Sequence, residues 1–216
     1  MTRAALPDAP SAAMIYIVDD DAHLRASLVN LLESSGHEAV ISFDSAEAFL
    51  RFERPDVNSC LILDLMLGEG SGLHLQAQLQ QDAPPLPIIF MSGVGSIAVS
   101  VQAMKAGAET FLTKPLRQNE LLDAVETALA KDRQRRASCS TLKQLRARHQ
   151  TLTPRERQTM ALAITGLLNK QIADRMGISN ITVKIHRGHA MKKMGARTFA
   201  DLVRMGEALG IGPAPF

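Results

Sequence analysis

Five polar residues stand out because each one closes a short apolar run. Asp19 and Asp20 end Met14–Val18, Asp64 ends Cys60–Leu63, Ser92 follows Pro87–Met91, and Lys114 follows Thr110–Thr113. Short apolar runs bounded by turn residues read as strands buried on both faces. In an open parallel sheet, ligands bind beyond the C-terminal ends of such strands. One sheet edge would therefore collect three carboxylates, a hydroxyl and an amine. A single Asp after a strand is ordinarily a helix cap, and Asp21 is read that way. Three converging carboxylates repel one another unless a cation joins them. Their oxygens, with positions left for water, suit a magnesium ion. The hydroxyl and the ammonium suit phosphoryl oxygens. A carboxylate beside such a metal can attack phosphorus and form an aspartyl phosphate.

These groups need a frame to hold them. Strands are expected over residues 14–18, 38–42, 60–65, 87–91 and 110–113. Between them, apolar residues recur at helical spacing, as in Leu24, Leu28, Leu31 and Leu32. Ser35-Gly36 stops that helix, Ser45 caps the next one, and further helices are expected over 73–81, 96–106 and from about Arg117. Strictly alternating strands and helices predict an α/β fold, a five-stranded parallel doubly wound sheet with helices on both faces. No Gly-rich phosphate loop is present, so this is not a nucleotide-binding sheet. A phosphatase with an aspartate nucleophile would place a second acid two residues after it, but Met66 stands there.

The chain has 216 residues and a net charge of +2, and that sum hides an asymmetry. Residues 1–130 hold 7 Lys+Arg against 17 Asp+Glu, a charge of −10. Residues 131–216 hold 17 against 5, a charge of +12. Two domains with different partners follow, and a polyanion is the first candidate for the basic one. Aromatic residues are only 4% of the chain, which argues against a stacking platform for single strands. No apolar run approaches the ~18 residues that span a bilayer. Two cysteines, Cys60 and Cys139, cannot build a disulfide framework, and a reducing cytoplasm is the expected setting. Residues 1–13 read as a loose disordered tail.

The basic half is expected to be all helical. Residues 131–151 read as a helical linker that continues the last helix of the first domain, with Ser138 as the place where it could break. Lys131–Arg136 reads as solvated, and Leu142 with Leu145 is too short a repeat for a coiled coil. Thr153, Pro154 and Glu156 spell a capping box. Helices follow to about Thr165, over 169–176, from the Ser179 cap to Met194, and from Thr198 to about Leu209. Ala173, Gly177 and Val183 have helix-turn-helix spacing: a small residue at the crossing, a left-handed turn, and an apolar residue packing back. Ile172, Met176, Ile178 and either Ile185 or Met191 are the core candidates.

With these pieces in place, residues 14–130 resemble a response-regulator receiver domain. The resemblance rests on Val18-Asp19-Asp20-Asp21, Leu63-Asp64-Leu65, Phe90-Met91-Ser92-Gly93 and Thr113-Lys114-Pro115. Residues 152–210 resemble a LuxR-type helix-turn-helix DNA-binding domain, leaving 211–216 as a tail. The whole chain resembles a NarL/FixJ-class two-component response regulator. The resemblance implies that Asp64 accepts a phosphoryl group from a histidine kinase. It implies Mg2+ held by Asp19, Asp20, Asp64 and the Met66 carbonyl, with Ser92 and Lys114 on phosphoryl oxygens and Phe111 as the switch aromatic. It also implies a homodimer when phosphorylated, promoter DNA as partner, no membrane, and no enzyme activity beyond the receiver's own phosphorylation and dephosphorylation.

In a helix-turn-helix the second helix enters the major groove. Ser179, Thr182, Lys184, His186 and Arg187 are candidates on its exposed side. By family position, Lys184, Ile185 and Gly188 face bases, while Thr182, Lys170 and Lys192 face phosphates. Three departures from the family pattern matter. Leu67-Gly68 replaces the usual Met-Pro, so the loop after Asp64 is expected to be more mobile. Gly188 stands where a side chain is usual. Met66 and Val94 are apolar and cannot orient water, which predicts a long-lived phosphoryl group.

Overall fold

The structure is a computed structural model, and it describes residues 13–68, 70–79, 85–93 and 97–211. The tails expected over 1–13 and 211–216 lie outside these residues, apart from Ala13 and Ile211, and so does Val94. The chain forms two compact units that divide between Arg136 and Ala137.

The first unit alternates strand and helix. In order it contains β1 (Met14–Val18), α1 (Ala22–Ser34), β2 (Ala39–Phe43), α2 (Ala46–Arg51) and β3 (Ser59–Asp64). After the short strands β4 (Met66–Leu67) and β5 (Gly70–Ser71) come α3 (Gly72–Leu79), β6 (Ile88–Ser92), α4 (Ile97–Lys105), β7 (Thr110–Thr113) and α5 (Gln118–Gln150). The five longer strands form one parallel sheet in the order β2-β1-β3-β6-β7. This is the doubly wound arrangement that the alternating pattern predicts.

Two cores lie on the two faces of the sheet, and the period of two along each strand feeds both. Tyr16, Leu61, Leu63 and Phe90 pack with Phe49 of α2, Leu75 and Leu79 of α3 and Ala103 of α4. Ile15, Ile17, Cys60, Ile62, Ile89 and Met91 pack with Leu28 and Leu32 of α1 and Leu121, Val125 and Leu129 of α5.

After Asp64, β4 and β5 pair as an antiparallel ribbon, and Gly68 lies in the left-handed region with φ 54°. Two sequence expectations change here. The break allowed at Ser138 does not occur, because α5 runs unbroken from Gln118 to Gln150. Thr141 bonds its hydroxyl back to the Ala137 carbonyl (2.9 Å), so it joins the helix ladder instead of competing with it. Nor is Lys131–Arg136 a solvated run. Asp132 is fully buried and accepts from Ser59 N (3.0 Å), Arg136 Nε (2.6 Å) and the Arg135 guanidinium. Arg136 also pairs with Asp56, and Lys131 with Glu109 (2.6 Å). The helix therefore stays bound to the first unit through Arg136.

The second unit comprises the end of α5, then α6 (Pro154–Ile164), α7 (Asn169–Met176), α8 (Asn180–Met194) and α9 (Phe199–Ala208). Leu145 of α5 is buried with Leu152, Met160, Ala190, Met194 and Leu202, so it belongs to this unit's core and is not available to a coiled coil. Arg148 donates to the Met194 carbonyl (3.2 Å), satisfying an end group of α8.

Glu156 completes the capping box at Thr153 and also binds Lys193 of α8 (2.6 Å), with almost no solvent exposure. Lys193 and the Thr153 N–H hold its carboxyl down to about 2, against the opposing effect of burial. The unfolded value is near 4.3. Its contribution to stability is therefore complete above that value and lost as pH falls toward 2. Urea unfolding from about pH 6 to pH 2.5 should show the wild type losing its advantage over Glu156→Gln across that interval. A constant difference would mean that Lys193 and Glu156 are not coupled.

Candidate functional site

The acidic edge assembles where the sequence places it. Asp19 follows β1, Asp64 ends β3, Ser92 ends β6 and Lys114 follows β7. Lys114 Nζ bridges two of the carboxylates, at 2.8 Å from Asp19 Oδ2 and 2.7 Å from Asp64 Oδ2. Lys114 N also donates to the Ser92 carbonyl (2.7 Å), and a cis peptide joins Lys114 to Pro115. Asp19 and Asp64 are buried and Asp20 is exposed. Oxygens of all three carboxylates lie within 4.8 Å of one another.

Each carboxylate is also held by the backbone. Asp19 Oδ1 accepts from Asp21 N (2.8 Å), Asp64 Oδ1 from Met66 N (3.3 Å) and Asp20 Oδ2 from Gly68 N (3.0 Å). Arg25 donates to the Asp19 carbonyl (2.6 Å). Asp21 caps α1, accepting from His23 N and Leu24 N, and those two bonds lower its pKa. Burial raises the Asp64 pKa, against the opposing pull of Lys114 and Met66 N–H. Burial works against the Lys114 ammonium, but bonds to Asp19 and Asp64 outweigh it and keep the amine protonated.

Sequence reasoning missed two supports of this edge. Gly72 opens α3 directly beneath Asp64. A Cβ there would collide with the Asp64 carbonyl oxygen and crowd Phe90 and Leu63. Gln76 of α3 is buried and donates to the Ala103 (3.2 Å) and Ala106 (2.9 Å) carbonyls at the end of α4. Its only sequence signal was a polar residue on the apolar stripe Leu75 and Leu79. Phe111, half-buried, packs against the core that holds Leu63 and Phe90. Ser92 is buried.

In the second unit, Gly177 ends α7 in the left-handed region (φ 63°), and Ala173, Val183 and Ile172 are buried together. Met191 packs on the core and Ile185 is exposed, which decides between the two core candidates. Lys170, Ser179, Lys184, Gly188 and Lys192 are exposed, and Thr182 and His186 are half-buried. Ser179 caps α8 and shares a hydrogen bond with the Thr182 hydroxyl (2.8 Å). Arg187 differs from the sequence expectation. Its guanidinium stacks on Phe199 (4.1 Å to the ring centroid) and binds Asn169 Oδ1 (3.1 Å), so it joins three helices instead of pointing outward from α8.

The family described as "Response regulator receiver domain" matches residues 15–126, and that described as "Bacterial regulatory proteins, luxR family" matches residues 150–206. The chain belongs to the NarL/FixJ class of two-component response regulators. The regulator is 50% identical over 204 residues to Nodulation protein W of Bradyrhizobium diazoefficiens, covering 94% of this chain and 89% of that one. It is 40% identical to the transcriptional regulatory protein FixJ of Rhizobium meliloti, covering 93% and 98%. The solved structure of the response regulator StyR aligns with a TM-score of 0.80 at 43% identity, covering 91% of this chain and 99% of that one. The regulator is thus a phosphorylation-controlled, DNA-binding transcription regulator. No helix among the described residues is long and apolar enough to cross a membrane.

Proposed function

We propose that Asp64 is the phosphoacceptor and that its phosphorylation controls dimerisation and promoter binding. The observation that carries this is Lys114 bridging Asp64 and Asp19 while Asp20 stands within reach. The regulator works in the cytoplasm, where a histidine kinase supplies the phosphohistidine. An Asp64 carboxylate oxygen attacks phosphorus, the P–N bond breaks, and its electron pair leaves with the imidazole. Asp19, Asp20, Asp64 and the Met66 carbonyl fit a hard cation with oxygen ligands and would hold Mg2+. Bound there, Mg2+ would offset the negative charge of the carboxylates and the phosphoryl oxygens.

Lys114 then exchanges its bond to Asp64 for one to a phosphoryl oxygen, and Ser92 donates to another. Moving Ser92 makes room for Phe111 to turn inward. Val101 and Met104, exposed on α4, are the apolar part of the face that dimerises. We place the receiver over residues 14–136 and the DNA-binding unit over 137–210, in place of a division into 14–130, 131–151 and 152–210, because Asp132 and Arg136 are tied to the first unit and Leu145 to the core of the second. Release of the phosphoryl group is slow, because Met66 is apolar, 64% exposed and unable to orient water. Acid-stable counting of radiolabelled protein should give a half-life of minutes to hours, and seconds would overturn this.

Lys184 and Ile185 face bases and Lys170, Thr182 and Lys192 face phosphates, with Ser179 and His186 beside them. Lys184→Ala should cost about 1–3 kcal/mol on the best site and little on random duplex. Lys170→Ala should weaken all sequences alike and flatten the salt dependence. Fluorescence anisotropy at several salt concentrations separates the two. Identical behaviour would mean that the roles are assigned wrongly.

A further inference from the structure

The outward face of α8 carries a feature that the lysines do not explain. Ile181 is 74% exposed and Ile185 is 50% exposed. At 3.6 residues per turn, Ile181, Ile185 and Gly188 fall within a sector of about 60°. Val183, Ala190 and Met194, buried in the unit, lie on the opposite side of the helix. Neither isoleucine is needed to complete that core. A Cβ at Gly188 would meet nothing within 4 Å, so the third position of the stripe is open space. Lys184 borders the stripe, and Lys192 continues it one turn beyond Gly188. The line of the helix that projects furthest is therefore apolar, then bare, and bordered by ammonium groups.

We propose that Ile181 and Ile185 read thymine through its C5-methyl group in the major groove, with Gly188 letting the helix backbone come close to the bases. This rests on the assignment of α8 as the groove-entering helix and gives that site its ligand chemistry. The thymine methyl is the only apolar group that a base edge offers in that groove. The bordering lysines suit the phosphates on either side, which is the charge complementarity that favours DNA over a second protein surface. The preferred half-site should contain two thymines under the first two turns of α8. A hydrogen-bonding code carried by lysines alone would require neither.

The test uses the full chain, activated with Mg2+ and beryllofluoride, and a duplex it selects from a random pool. Each thymine in the selected site is then replaced singly by deoxyuridine, which removes the methyl group and nothing else. Affinity should fall about fourfold at the contacted thymines, the worth of one buried methyl. One of those losses should vanish in Ile181→Ala and another in Ile185→Ala. Both residues are solvent-facing, so neither variant should unfold the unit, and thermal unfolding checks this. Sequence-specific binding that ignores every deoxyuridine would overturn the proposal while leaving the groove assignment intact. Losses that persist in both alanine variants would overturn it as well, since the methyl would then act through DNA shape. If no site can be selected and Lys184→Ala changes nothing, the groove assignment itself fails. Self-association that is lost in the double alanine variant, with no deoxyuridine effect, would assign the stripe to a second copy of the chain.

Discussion

Asp132→Ala should lower the stability of the first unit by about 3 kcal/mol or more, at the lower end of what breaking one side of a buried ion pair costs. Asp132 has no solvent exposure, and three donors converge on it: Ser59 N, Arg136 Nε and the Arg135 guanidinium. Truncation leaves a buried backbone N–H without a partner and removes the shared anion of two mostly buried guanidiniums. Arg136 keeps Asp56 and Arg135 keeps the Pro85 carbonyl, which is why the loss stays at the lower end. Asp132→Asn retains an acceptor of nearly the same shape and should lose less. Urea unfolding of the three proteins orders them as wild type, Asp132→Asn, Asp132→Ala. Equal midpoints for wild type and Asp132→Ala would mean that α5 is held by its apolar stripe alone.

Asp132 also shows how far the sequence can be read. The sheet, its strand ends and the helix caps are legible because each depends on neighbours within a turn or a strand. Asp19, Asp64, Ser92 and Lys114 follow apolar runs, and parallel pairing alone brings those run ends to one edge. The capping box at Thr153 and the left-handed Gly177 are equally local. Asp132 sits in Lys-Asp-Arg-Gln-Arg-Arg, which reads as solvated, and its backbone partner Ser59 is 73 residues away. One signal was available: Leu121, Val125, Ala128 and Leu129 set a buried stripe, and Asp132 is its next position. A carboxylate on a buried stripe, with arginines three and four residues later, marks an internal ion pair. Arg187 escaped for the same reason. Its partners Asn169 and Phe199 belong to other helices, so charge alone placed it on the outward face. Leu145 was assigned to neither domain because its core forms from α6, α8 and α9, far along the chain.

Asp64→Asn should abolish phosphoryl incorporation and, with it, the gain in DNA affinity on activation, which we expect to be tenfold or more. The amide oxygen is too weak a nucleophile to displace a phosphorylated imidazole. The substitution should not unfold the receiver. Burial raises the Asp64 pKa, and Asp19 stands beside it as a second buried carboxylate, so an uncharged group of the same shape relieves repulsion. Lys114 would still hold Asp19. Stability without Mg2+ should therefore match or exceed that of the wild type, which separates lost chemistry from lost fold. Beryllofluoride, which mounts a phosphoryl mimic on a carboxylate, should shift the wild type from monomer to dimer in light scattering and leave Asp64→Asn unchanged. Label retained by Asp64→Asn would move the acceptor to Asp19 or Asp20. Of these, only Asp20 is exposed, so a double Asp20→Asn, Asp64→Asn variant would then decide the matter. A dimer that forms equally in both proteins without beryllofluoride would take dimerisation out of the switch. It would leave release of the DNA-binding unit as the step that phosphorylation controls.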